Sequence, residues 1–102
     1  MVHELNDTNF YEAISVGIVL VDFWAAWCGP CKILSPTVEA VAAEDTSIKV
    51  AKVNVDDNPV LSDKFQIMSI PTLMFFKNGE LKDTAIGVVS KQIIQNKITM
   101  LK

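Results

Sequence analysis

Arginine is absent from this chain of 102 residues, and histidine occurs once, as His3. All nine basic side chains are therefore lysines, and with twelve acidic residues they give a formal net charge of −3. A nucleic-acid-binding surface normally needs a concentrated basic patch. This charge balance therefore argues against a dedicated nucleic-acid partner.

Long apolar stretches are also missing. None approaches the ~20 residues that a membrane-spanning helix needs, and residues 1–8 lack the basic and apolar regions of a secretory signal. We therefore expect no membrane association and a cytoplasmic location, where thiols are kept reduced. With 50% hydrophobic residues, 102 residues suffice for one modest core, so we predict a single domain over residues 1–102, acting as a monomer.

Cysteine is scarce too, with only Cys28 and Cys31, three residues apart. A zinc site needs about four ligands, and the single histidine, His3, lies near the opposite end of the sequence. A disulfide across so small a ring removes only ~2 kcal/mol of denatured-state entropy, whereas structural disulfides usually close long loops. We therefore predict no metal and a redox-active dithiol.

The two cysteines lie where an apolar run meets a helical pattern, in the stretch Trp24 to Lys32 (WAAWCGPCK). The run Ile18 to Trp24 is rich in β-branched and aromatic residues, as in a strand buried on both faces. Beyond the cysteines, apolar residues follow at helical spacing: Leu34, Val38, Val41 and Ala42. Pro30 is compatible with a first helical turn. Both cysteines are therefore predicted at a helix N-terminus.

That position favours thiolate chemistry. Unpaired amide N–H groups and the positive end of the helix dipole both stabilise a thiolate over a thiol. Cys28, nearer the tip, is expected to be the exposed attacking thiol. Cys31, nearly one helical turn inside, is expected to resolve the intermediate.

The remaining patterns predict an α/β fold. A short edge strand at Val2 to Leu5 precedes a helix capped by Asp7 or Thr8. The later predicted elements are a strand over Ile48 to Val55, a short helix between Asp56 and Phe65, strands Thr72 to Phe76 and Glu80 to Ile86 joined at Asn78-Gly79, and a helix capped by Ser90. Alternating strands and helices imply parallel crossovers, and the hairpin is antiparallel. A mixed sheet of about five strands, flanked by about four helices, follows.

Two predicted strands each contain a charged residue, Asp22 and Lys52. An isolated ionised carboxylate in an apolar strand is costly, so Asp22 should have a raised pKa or a paired charge. An ion pair with Lys52 is the structural alternative, and the two descriptions are compatible.

Four segments, VDFWAAWCGPCK, VAKVNVDDNP, IPTLMFFKNGE and IGVVSK, resemble the thioredoxin family in order and spacing over nearly the whole chain. The resemblance implies the thioredoxin fold, with the strand Ile18 to Trp24 central and the final hairpin on one side. It also implies a general protein-disulfide reductase that carries no cofactor of its own.

The resemblance further implies roles for individual residues. Asp22 would move a proton to and from Cys31, tuned by Lys52. The Ile70-Pro71 bond would be cis, with Pro71 packed against the dithiol and the Ile70 backbone pairing with an extended substrate. The residues implied to form a shallow apolar groove around Cys28 are Trp27, Gly29, Pro30, Ile70 and Gly87.

The implied partners are disulfide-containing client proteins and an NADPH-dependent flavoenzyme, thioredoxin reductase, as electron donor. Met68, Ser69 and Val88 depart from the residues common in the family, which affects the choice of partner. Two alternatives stay open. A disulfide oxidase or isomerase of the same fold usually carries histidine between its cysteines, where this chain has Gly29-Pro30. A non-enzymatic subunit would use the groove only to hold a partner.

Overall fold

The computed structural model describes residues 1–102 and contains five strands and four helices. The strands are β1 Val2–Leu5, β2 Ile18–Trp24, β3 Lys49–Asn54, β4 Thr72–Lys77 and β5 Glu80–Ile86. The helices are α1 Phe10–Ala13, α2 Gly29–Glu44, α3 Pro59–Lys64 and α4 Lys91–Leu101. These elements confirm the predicted α/β fold.

The strands form one sheet in the order β1-β3-β2-β4-β5. Strand β2 pairs parallel with β3 and antiparallel with β4, so the sheet is mixed and β2 lies at its centre. Residues 19–23 of β2 are buried, as expected for a strand covered on both faces. The hairpin of β4 and β5 turns at Asn78 and Gly79, both of which have positive φ, as in the tight turns that favour these residues.

Each face of the sheet has its own hydrophobic core because side chains alternate along a strand. Val19, Val21 and Phe23 point to the face covered by α1 and α3, where they pack with Phe10 and Leu61. A fully buried side chain of this size contributes ~1.5–3 kcal/mol to stability. The opposite core, beneath α2 and α4, contains Leu20, Leu34, Val38, Val41, Ala42, Val50, Leu73, Phe75, Ala85, Ile94 and Ile98.

The core beneath α2 ends before the carboxyl ends of β2 and β3. By the same alternation, Asp22 and Trp24 share the face of Leu20, and Lys52 shares the face of Val50. The sheet therefore carries two charged groups and an indole where the first turns of α2 cross it.

One capping prediction is wrong. The residue before α1 is Asn9, and neither Asp7 nor Thr8 caps that helix. The Asp7 carboxylate instead accepts a hydrogen bond from the Leu61 amide at 3.0 Å, in the first turn of α3. Ser90 caps α4 as predicted, since its hydroxyl accepts from the Ile93 amide at 3.2 Å.

Candidate active site

Cys28 and Cys31 form a disulfide at the start of α2, with their Cα atoms 5.3 Å apart. Cys28 is the N-cap residue, and its sulfur accepts a hydrogen bond from the Cys31 amide at 3.1 Å. Pro30 lies in the first turn, where its missing N–H costs nothing. The helix terminus therefore directs an N–H group at the Cys28 sulfur, which favours a thiolate there once the disulfide is reduced.

Cys28 is not the exposed member of the pair in this oxidised structure. The exposed fractions of Cys28 and Cys31 are 3% and 4%. Both pack against Ala25, with the partly buried Trp24, Val55 and Ile70 around them. The expectation of an exposed Cys28 is therefore wrong for the oxidised state, because side chains from other segments cover both sulfurs.

The segment Ile70-Pro71 lies directly beside Cys28. The Ile70 carbonyl oxygen is 3.7 Å from the Cys28 sulfur, the Ile70-Pro71 bond is cis as the resemblance implied, and Pro71 is buried. Gly87 donates its amide to the Pro71 carbonyl at 2.8 Å and has φ +88°, a backbone conformation that favours glycine. The structure thus brings Ile70 to the dithiol and links Gly87 to the adjoining Pro71.

Trp27 is 70% exposed immediately before the disulfide. Its indole N–H donates to the Asp56 carboxylate at 2.8 Å, which fixes the ring although most of it faces solvent. Gly29 and Pro30 are exposed in the adjoining helical turn. Asp56 is a site residue that the sequence did not reveal, since its segment read only as the start of a short helix.

Asp22 is only 5% exposed, and its Oδ1 atom has no hydrogen-bond partner in the protein. Burial raises the pKa of Asp22 to about 7, and the positive charge of Lys52 opposes part of that rise. A carboxyl group that titrates near neutral pH can both accept and release a proton under working conditions.

Lys52 is opposite Asp22 in the parallel pairing of β2 and β3, but the two side chains form no ion pair. The four ion pairs of the structure all involve other residues. The Lys52 ammonium instead lies 5.0 Å from the centre of the Trp24 ring, within cation–π range. The predicted ion pair is therefore wrong in its geometry, and Lys52 acts on Asp22 through space.

A cavity of about 110 Å³ is lined by both Asp22 and Cys31. Asp22, Lys52 and Trp24 line it from the sheet, and Cys31 and Ser35 line it from α2. Asp22 and Cys31 therefore line the same cavity.

Two further observations concern metal binding and membrane-spanning helices. The structure contains no group of three or more histidine, cysteine, aspartate or glutamate side chains that could hold a metal ion. None of its helices combines the length and the apolar character needed to cross a membrane.

Comparison with known proteins agrees with this geometry. A family model described as thioredoxin matches residues 1–100. A thioredoxin of Porphyra purpurea is 51% identical over 98 residues, which cover 93% of this chain and 92% of that protein. Thioredoxins of Staphylococcus haemolyticus and Chlamydia caviae are 47% and 44% identical, and each alignment covers at least 86% of both chains.

Proposed function

This chain belongs to the thioredoxin family, and from that premise we propose how its residues carry out the reaction of a general protein-disulfide reductase. As a member of the family it is a thiol-disulfide oxidoreductase with a redox pair at Cys28 and Cys31. The observation that carries the assignment of roles is the position of Cys28 as N-cap of α2, with the Cys31 amide directed at its sulfur.

Cys28 is the attacking group. Its thiolate attacks one sulfur of a client disulfide, forms a mixed disulfide and releases the other client sulfur as a thiolate. Cys31, after losing its proton, attacks the Cys28 sulfur, so that the Cys28–Cys31 disulfide forms and the second client sulfur leaves. The client gains two electrons and two protons, and the protein is oxidised.

Asp22 is the proton acceptor for Cys31 in the second attack. It shares a cavity with Cys31, and its pKa of about 7 suits a group that accepts a proton at neutral pH. Lys52 has a supporting role, because its charge keeps the pKa of Asp22 from rising further. Without that charge, Asp22 would be protonated over more of the physiological pH range and less available as a base.

The surface around Cys28 receives the client. Trp27, Gly29, Pro30, Ile70 and Gly87 form an apolar rim, and the Ile70 carbonyl beside the Cys28 sulfur offers a backbone hydrogen bond to an extended client segment. Exposed Met68 and Val88 extend the apolar character of this region. Clients that present apolar residues beside their disulfide fit this surface best.

The wider setting proposed is a cytoplasmic monomer that transfers electrons from an NADPH-dependent thioredoxin reductase to client disulfides. The reductase restores the dithiol after each turnover, because the reaction leaves Cys28 and Cys31 oxidised. This chain then acts as an electron carrier, and the flavin and the nicotinamide belong to the reductase.

The Cys31→Ser variant tests the assignment of the two cysteines. Without a resolving thiol, it should accumulate covalent complexes with an insulin-like disulfide substrate that dithiothreitol releases. The matched Cys28→Ser variant should form no such complex, and the wild-type chain should reduce the substrate continuously with NADPH and a thioredoxin reductase. Trapping by Cys28→Ser, or turnover by Cys31→Ser at the wild-type rate, contradicts the roles.

A further inference from the structure

Met68 carries an exposed thioether close to the dithiol. Its exposed fraction is 94%, the highest of any large apolar side chain in the structure. It lies between α3 and β4, two residues before Ile70, whose carbonyl oxygen is 3.7 Å from the Cys28 sulfur. The proposed reaction gives the sulfur of Met68 no role.

Met68 also lines an open groove of about 550 Å³ beside α3. The apolar residues that line this groove with it are Val55, Pro59 and Ile67. Val55 packs in addition against the buried cluster that contains both cysteines. The groove and the dithiol therefore share a residue, and Met68 lies on the side of the molecule that the client is proposed to approach.

The other three methionines differ from Met68 in exposure or in position. Met74, in β4, is only 5% exposed. Met1 and Met100 are 87% and 84% exposed, but Met1 precedes the amino end of β1 and Met100 lies beside the β4–β5 turn. The dithiol follows the carboxyl end of β2, which runs parallel to β3 and so to β1. Met68 is therefore the one methionine that is both exposed and close to Cys28.

An exposed thioether is a target for two-electron oxidants such as hydrogen peroxide. The sulfur donates an electron pair to one peroxide oxygen, the O–O bond breaks, and the second oxygen leaves as water. The sulfur is thereby oxidised to a sulfoxide and the peroxide is reduced. The sulfoxide is polar, and methionine sulfoxide reductases convert it back to the thioether.

We propose that Met68 is a modification site at which peroxide weakens client binding and leaves the chemistry of the dithiol intact. A polar group covered by an apolar client without a hydrogen-bond partner costs binding free energy. The amide that faces the Cys28 sulfur belongs to α2, so oxidation of Met68 does not alter it. The inference rests on the client surface proposed around Cys28.

The test begins with the disulfide form, which has no free thiol to consume the oxidant. After treatment with hydrogen peroxide, dithiothreitol reduces the disulfide and is removed, and peptide mass spectrometry locates the added oxygen at Met68 and verifies that Trp27 is unmodified. Stopped-flow tryptophan fluorescence then measures the second-order rate constants for two substrates. One is a peptide disulfide flanked by leucines, and the other is hydroxyethyl disulfide, which has no flanking residues to contact Met68.

The sulfoxide should slow reaction with the peptide about five- to tenfold, the cost of one unpaired polar group, and leave reaction with hydroxyethyl disulfide unchanged. Met68→Leu keeps an apolar side chain without the sulfur, so peroxide should not change its rate with the peptide. Met100→Leu removes a similarly exposed sulfur elsewhere and should be slowed by peroxide as much as wild type. Methionine sulfoxide reductase should restore the rate of treated wild type.

Four results would overturn the inference: no oxygen at Met68 once Met100 is converted, an unchanged peptide rate with Met68 converted, equal slowing of Met68→Leu, or slowing of both disulfides, which would mean that the dithiol itself had changed. In each case the proposed function stands if untreated protein reduces both disulfides. If untreated protein reduces neither, the proposed function fails and this inference fails with it.

Discussion

Replacing Asp22 by asparagine should stabilise the oxidised protein at alkaline pH and change its stability little near pH 4. The folded protein holds the Asp22 proton more tightly than the unfolded chain does, because burial raises the pKa from 3.8 to about 7. Between these two values the folded state binds more protons than the unfolded state, so wild-type stability falls as pH rises. Above about pH 7 the full cost of the buried charge is present.

The size of this effect follows from the difference between the two pKa values. At ~1.4 kcal/mol for each pKa unit, the rise from 3.8 to about 7 corresponds to ~4 kcal/mol. The attraction of Lys52 is already contained in the raised pKa, so losing it in the variant is no additional cost. Asp22→Asn should therefore gain up to ~4 kcal/mol at pH 8.5, with most of the gain appearing between pH 4 and pH 7.

Urea unfolding of the oxidised protein at intervals from pH 4 to pH 8.5 measures the free energy of unfolding for both chains. Asp57→Asn makes the same chemical change at an exposed carboxylate and should differ from wild type by less than ~0.5 kcal/mol throughout. A gain from Asp22→Asn that is independent of pH would refute the reasoning. So would an equal stability of wild type and variant at pH 8.5.

In the reduced protein, brief iodoacetamide treatment at neutral pH should alkylate Cys28 much faster than Cys31, because the amide at the helix terminus faces the Cys28 sulfur. Peptide mapping gives the two rates, and equal labelling would contradict the assigned roles. Trp27→Ala should raise KM for a disulfide client about tenfold with a smaller change in kcat, if its exposed ring receives the client as proposed. Val16→Ala, an equally exposed apolar residue before β2, is the control, and an unchanged KM for Trp27→Ala would remove the ring from the client surface.

Local sequence patterns predicted the helices and strands well where the signal lies within a few neighbouring residues. The bounds of β1, β2 and β5 match the predicted strands. The β-branched and aromatic run marks β2, and the Asn78-Gly79 turn fixes the start of β5. The Ser90 cap is equally local. The strand order came from the family resemblance, since pairing between distant strands leaves little trace in a short window of sequence.

The errors arise where a distant segment supplies the partner. Asp7 resembled a cap for the nearby helix, but the amide that it meets belongs to Leu61, 54 residues away. Cys28 was expected to be exposed from its place at a helix tip, yet Ile70, 42 residues away, lies against its sulfur. The residues adjacent in sequence can show that a side chain is able to cap a helix or to react. Only the tertiary fold decides which groups contact and cover that side chain.

Asp22 and Lys52 also show that a sequence pattern does not determine which side chains make contact. The sequence placed Asp22 and Lys52 in two buried strands, and the structure shows that these strands are neighbours with the two residues opposite each other. A lysine side chain is long enough to reach more than one neighbouring group, and here the Lys52 ammonium lies over the Trp24 ring. Had Lys52 formed a close ion pair, it would have favoured the ionised carboxylate and lowered the pKa of Asp22. Because it does not, burial dominates, and the pKa of Asp22 stays near neutral, as the role proposed for it as proton acceptor requires.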